Sequence, residues 1–233
     1  MIMRTLNKHP AYELLASYSA GSLPLSQALC VSAHLEHCHS CTRQLQQLNH
    51  VGSELMQELK PASLSSDLKT RLFDSLDSLD EAALNAMPET TTKQSDPSVP
   101  RCLQQFIVDN YADLAWKRVS TDIHSVELCR DANGAKVELL KIKPGGSASQ
   151  HTHLGDEYTV ILEGSFSDES GLYQQGDFIV KDSRDRHKPV ATLDKPCICL
   201  AVSEGPIQFT GFFTRLLNPL LRRSYALKQL SQY

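Results

Sequence analysis

Apolar positions along the chain follow two periods. Over residues 9–84 they recur at helical spacing. In "HPAYELLASYSAG", Pro10 suits a first helical turn and Gly21 a C-terminal stop. A second helix is predicted to start near Ser22–Leu25 and run on through residues 34–41. Leu45, Leu48, Leu55 and Leu59 line a third, which stops at Pro61. Leu68, Leu72, Leu76 and Leu79 line a fourth, with Ser63, Ser65 or Ser66 available as its cap. The stretch "NAMPETTTKQSDPSVP" that follows is polar and aromatic-free and holds three prolines, the composition of a linker. Beyond it the period falls to two. "KVELLKI", "EYTVILEG", "GDFIVKD" and "CICLAVS" read as short strands, punctuated by "DANG", "PGG" and "DKP". From Phe209 helical spacing returns through Phe212, Phe213, Leu216, Leu217, Leu220 and Leu221, interrupted by Pro219. The fold class is therefore multidomain α + β. A small all-α bundle (1–85) is joined by a linker (86–100) to an all-β sandwich or barrel with a helical tail (101–233).

Composition narrows the function more than the fold. The 233 residues are 41% hydrophobic and 21% charged, with a formal net charge of −4, values of an ordinary globular protein that nothing equips to coat nucleic acid. In the helical half, nine carboxylates outnumber the basic residues, which disfavours direct DNA contact. The start, "MIMRTLNKHP", lacks the apolar core of a signal peptide, and no run approaches membrane-spanning length. A cytoplasmic location is expected, and there an odd set of seven cysteines reads as thiols or metal ligands.

The chemistry concentrates in two places. "HLEHCHSC" at 34–41 places His34, Cys38 and Cys41 at i, i+4 and i+7, one stripe of a continuous helix. One imidazole and two thiolates supply three corners of the tetrahedron that structural zinc takes. His9, just before the first helix, is the natural fourth ligand. His37 and His39 point away from the stripe. Cysteines serving only as small core residues, or as a CxxC redox pair, are the competing readings. In the β half, "GGSASQHTHLGDEYTVILEG" sets His151 and His153 on one face of a strand, with Glu157 returning from the next. "GDFIVKDSRDRHKP" offers His187 from another strand. Three imidazoles and a carboxylate suit Zn, Mn, Fe or Ni, and Gly145, Gly164 and Gly176 stand where tight turns are needed.

These motifs carry a resemblance. His9 followed by His34, Cys38 and Cys41 resembles the zinc-binding anti-sigma domain. Gly145 through His151, His153 and Glu157 to Gly164 matches the first cupin motif. Gly176 and His187 match part of the second, in which Asp182 and Arg184 replace the usual Pro and Gly, and Ala191 a frequent Asn. The two modules in this order resemble the ChrR family of anti-sigma factors. The resemblance implies zinc in both domains and a jelly-roll-like cupin barrel in the second. It also implies a helical half that clasps an extracytoplasmic-function sigma factor, and a cupin half required for its release under singlet oxygen or related oxidants. It implies no catalytic residue and no membrane. A dimer through the cupin or the tail stays open, as does whether the halves touch. The alternative is a metal-dependent cupin enzyme such as a dioxygenase, since three histidines and one glutamate are what such enzymes use. No acid, base or nucleophile in the sequence can be assigned to a substrate, and an enzyme would leave the helical half unexplained. Cys197 and Cys199 share a strand face and read as packing more readily than as a redox pair. Cys102, at the linker's end, is expected to be exposed.

Overall fold

Among the residues that the computed structural model describes (8–78, 96–211 and 214–219), four α-helices precede eleven β-strands. The helices are α1 (Tyr12–Ser19), α2 (Leu25–Leu35), α3 (His39–Gln57) and α4 (Leu68–Asp77). Ala11 is the N-cap of α1, so Pro10 precedes the helical turn it was expected to enter, while Gly21, with φ 65°, follows the helix as the sequence suggests.

The second helix differs from expectation. α2 stops at Leu35, with Glu36 as its C-cap. Cys38 is extended (φ −119°, ψ 94°) and N-caps α3, its Sγ accepting from the Cys41 N–H at 3.4 Å. The stripe of ligands is thus split between the end of one helix and the start of the next. The physical reason lies in the thiol itself. A sulfur at a helix start can satisfy one of the orphan N–H groups there, and the positive end of the helix dipole favours a thiolate.

The strands are β1 (Lys117–Arg118), β2 (Ile123–Arg130), β3 (Lys136–Ile142), β4 (His151–His153), β5 (Glu157–Glu163), β6 (Ser165–Asp168), β7 (Gly171–Gln174), β8 (Phe178–Lys181), β9 (Val190–Ala191), β10 (Cys197–Ser203) and β11 (Ile207–Phe209). A six-stranded antiparallel sheet runs β1-β2-β3-β10-β5-β8. Two small sheets, β11-β4 and β7-β6-β9, lie beside it. β10 is buried along its whole length, and its alternate residues enter two different cores. Cys197 and Cys199 pack with Ile142, Ile161, Phe166, Tyr173 and Ile179 inside the cupin-like fold. Ile198, Leu200 and Val202 face the other way, with Val137, Leu139, Val160, Leu162 and Phe178.

That second face is covered by the helical half. Leu15 of α1 and Leu29, Cys30, Val31 and Ala33 of α2 belong to the same buried cluster. The two halves therefore share one core, so β5 and β10 are buried on both faces rather than on one. Polar contacts border the contact: Ser26 with Asp131, Gln27 Nε2 donating to Glu204 at 2.7 Å, and the Arg101 N–H donating to Glu36 at 2.7 Å.

Two boundaries shift. The C-terminal end of the expected linker is already packed: Val99 is buried in the common core and Pro100 leads into a 3-10 turn over Arg101–Leu103. Phe209, expected to open a helical tail, instead ends β11, opposite His151 of β4. Its neighbours favour pairing because β4 otherwise has an open edge. Thr214–Leu217 form a short 3-10 turn, while the remainder of the tail and linker residues 86–95 lie outside the described residues.

Candidate metal centres

In the helical half the structure brings together His9, His34, Cys38 and Cys41, whose ligand atoms lie within 4.8 Å of one another. His9 Nδ1 is 3.3 Å from Cys38 Sγ and 3.4 Å from Cys41 Sγ. His34 is fully buried. Its Nδ1–H donates to the Gly176 carbonyl at 2.6 Å, which leaves Nε2 with no hydrogen-bond partner. A buried, unpartnered imidazole nitrogen facing two sulfurs is costly unless something fills the gap between them. Burial lowers the His34 pKa to about 4, so the ring is neutral and Nε2 carries a lone pair. Burial also pushes the Cys41 thiol up to about 12, with the Cys38 sulfur adding to it, so in this neighbourhood a thiolate needs a cation. An N₂S₂ donor set whose His9 Nδ1 faces both sulfurs and whose His34 Nε2 has no hydrogen-bond partner fits tetrahedral zinc. The exposed His39 and half-buried His37 take no part in the cluster.

The second centre is built by strand pairing. β4 sets His151 and His153 on one face, held by β11. His187 enters opposite His151 through a two-way backbone bridge, each N–H donating to the other's carbonyl at 3.1 Å. His187 Nε2 then stands 3.0 Å from His151 Nε2 and 3.1 Å from His153 Nε2. His151 Nδ1–H donates to the Ser149 carbonyl at 2.8 Å, which turns its unprotonated Nε2 inward. Burial holds the pKa of His153 and of His187 to about 4 and lowers that of His151. Three lone pairs converging this closely repel one another in the absence of a proton or metal ion between them, and the set fits a divalent cation. Glu157, the first residue of β5, is beside them but not equidistant, with Oε2 3.2 Å from His153 Nε2. Burial raises its pKa to about 7, with His151 opposing the rise.

The departures from the second cupin motif leave the turn intact. Asp182 replaces the rigid Pro by side-chain capping, its Oδ1 accepting from the Arg184 N–H at 2.7 Å. The Asp182 N–H donates to Asp185 at 3.0 Å. Gly176 (φ 91°) and Gly164 (φ 72°) take left-handed backbone. At Gly164 a Cβ would stand 2.3 Å from the Pro196 carbonyl oxygen.

Sequence reasoning missed two partners of these ligands. Asp168, its carboxylate wholly buried, sets Oδ2 3.4 Å from His187 Nδ1 and 3.3 Å from Lys181 Nζ. Burial raises its pKa, but the Ser170 N–H, the Lys181 ammonium and Tyr173 outweigh that and hold it below the usual carboxylate range. The other is the Gly176 carbonyl on His34. Neither has a sequence signal: Asp168 lies in an ordinary turn-like "SDESG", and a backbone oxygen has no residue type. Among the remaining cysteines, Cys102 is half-buried rather than exposed, and burial pushes its thiol up to about 12.

Exposed apolar residues concentrate at two elements. Val51, Leu55, Met56 and Leu59 at the end of α3 and Leu64, Leu68, Leu72, Phe73 and Leu76 at α4 are all exposed, and α4 has no buried residue. Among the described residues no helix is long and apolar enough to cross a membrane.

Comparison with known proteins gives three results. The family described as "ChrR Cupin-like domain" matches residues 104–208. The anti-sigma-E factor ChrR of Cereibacter sphaeroides is 31% identical over 219 residues, covering 94% of this chain and 99% of the relative. The crystal structure of Rhodobacter sphaeroides SigE in complex with the anti-sigma ChrR superposes with a TM-score of 0.72 at 30% identity, covering 85% of this chain and 99% of that one.

Proposed function

Because the chain belongs to the ChrR family of anti-sigma factors, we propose that it sequesters an extracytoplasmic-function sigma factor on α3 and α4 and releases it on an oxidative signal received by the cupin. The observation that carries this reading is the division of the helical half. α2 is packed onto β5, β8 and β10, with Leu15 of α1 in the same buried cluster, while the apolar residues at the end of α3 and along α4 stay exposed. An exposed apolar face of this extent marks a protein interface. A sigma factor acts on RNA polymerase, so the chain works in the cytoplasm and regulates rather than catalyses.

His9, His34, Cys38 and Cys41 are the ligands of a structural zinc in this reading. His151, His153 and His187, with Glu157 as the fourth, hold a second metal of the Zn, Mn, Fe or Ni class. A bound zinc supplies folding energy to the helices that carry its ligands. The chain's own contribution is to fix both tautomers at His34 and His151 through backbone carbonyls and to keep all four buried imidazoles neutral. Residues 1–85 then form the sigma-binding unit and 101–233 the receiver, with 86–100 between them.

The test is co-expression of the tagged full chain with extracytoplasmic-function sigma factors. One of them should co-purify at equal stoichiometry, and a Leu55→Glu/Leu72→Glu variant should lose it while keeping its metal content. No retained sigma factor, or equal retention by the variant, would overturn the reading.

A further inference from the structure

One short strand of the cupin touches both metal centres. β8 begins at Phe178, whose N–H donates to the Lys8 carbonyl at 3.1 Å, one residue before His9. The Phe178 ring meets the His34 ring edge-on, with centroids 5.8 Å apart at 78°. The turn feeding β8 supplies the Gly176 carbonyl to His34. On the β7 arm of the same hairpin, the Lys8 ammonium lies 5.8 Å from the centre of the Tyr173 ring. His34, and the segment that carries His9, are thus held from outside by the cupin. At the far end of β8, Lys181 is the ladder partner of Glu157 and contacts Asp168, which in turn faces His187 Nδ1. Phe178 and Lys181 are three residues apart, about 10 Å of strand.

We propose that the β7–β8 hairpin is a shared outer sphere of the two centres, and that metal binding at one is therefore thermodynamically coupled to metal binding at the other. This rests on the reading of both clusters as metal sites. The group on the second nitrogen of a ligating imidazole fixes its tautomer and orientation, and its loss commonly costs 10- to 100-fold in affinity. Gly176 fills that place for His34 by a hydrogen bond, and the Asp168 carboxylate faces the second nitrogen of His187 at 3.4 Å. Both belong to, or are bound by, the same hairpin. His187 can present Nε2 inward only in the pose that sets Nδ1 against Asp168 and so braces Lys181 at the end of β8. Asp168 and Lys181 are positioning residues in this scheme. Linkage makes the effect reciprocal: whatever factor one site exerts on the other is returned.

Cobalt(II) distinguishes the two sites in the full chain. Only the helical centre offers thiolates, so only it yields a thiolate-to-cobalt charge-transfer absorption. The metal-free full chain and its His151→Ala/His153→Ala variant are titrated with cobalt against a competing chelator. The expected result is a thiolate band of the same shape whose half-saturation needs about tenfold more free cobalt in the variant. Asp168→Asn, which leaves every ligand in place, should weaken the band's affinity in the same direction, a readout that a lowered melting temperature alone would not produce. If both variants bind cobalt at the helical site as tightly as the parent, the coupling is wrong although both sites stand. If the parent shows no thiolate band, the helical metal site and the coupling fall together.

Discussion

Cys38 is asked to do two things at once. It ends an extended segment as the N-cap of α3, and its sulfur stands 3.3 Å from His9 Nδ1, which also lies 3.4 Å from the Cys41 sulfur. Replacing it by serine keeps a helix cap and removes a sulfur ligand, so the helix should survive where the metal does not. Cys38→Ser should lower the zinc content of the full chain by one equivalent, read by elemental analysis, with the cupin metal still bound but yielded more readily to a chelator. The released folding energy is on the order of 10 kcal/mol for structural zinc in small domains, and here the shared core offsets part of it. Buried thiols elsewhere should be inert. Burial pushes Cys30 up, and Cys199 is pushed well up by the neighbouring Cys197 sulfur and by burial. Native protein treated with a thiol reagent should therefore label at none of Cys30, Cys197 and Cys199, and all three should label in denaturant. At Gly164 the Pro196 carbonyl stands where a Cβ would go. Gly164→Ala should lower stability by more than about 1 kcal/mol, measured by denaturant unfolding.

At the level of elements, periodicity reported almost all that could be read. The strands β3, β5 and β10 lie where apolar spacing places them because each is marked by burial, and α4 lies where the spacing of Leu68, Leu72 and Leu76 places it although those residues stay exposed. The break between α2 and α3 was not legible. His34, Cys38 and Cys41 have flawless helical spacing, and no glycine or proline punctuates 34–41. What interrupts the helix is a sulfur serving as a cap, a preference that spacing does not encode. Phe209 misled in the opposite direction, since its pairing depends on an open edge of β4 more than fifty residues earlier in the chain. His151 and His153 were legible as a pair because a strand's side-chain alternation is fixed, and the structure brings His187 to them through an isolated bridge. The bracing of His187 by Asp168 was not legible. The α3–α4 face leads to a sharp expectation: Leu72→Glu should change the melting temperature of the unbound chain little, because an exposed position contributes within about 0.5 kcal/mol. The same variant should abolish sigma binding in a pull-down. A large loss of stability instead would mean that α4 packs on its own chain.

Across the whole molecule, the arrangement resists division into independent halves. Leu29 and Val31 are buried against strands of the cupin, and uncovering these two side chains alone costs about 3 kcal/mol. A 1–85 fragment should still bind the sigma factor through α3 and α4. It should also melt below the full chain and surrender zinc to a chelator more readily, having lost the Gly176 carbonyl and the Phe178 ring. Equal melting and equal chelator resistance would show that the shared core contributes nothing to the helical half. The covering of the sheet by α2 has one more consequence, for what a protease can achieve. Breaking a peptide bond between residues 78 and 96 severs the covalent connection and leaves every buried contact of α1 and α2 in place. The nicked chain should travel as one particle through a sizing column and part into two bands only when denatured. The covalent thread between the halves is thus redundant, and scission alone does not set the sigma factor free: the docked surface itself must come undone.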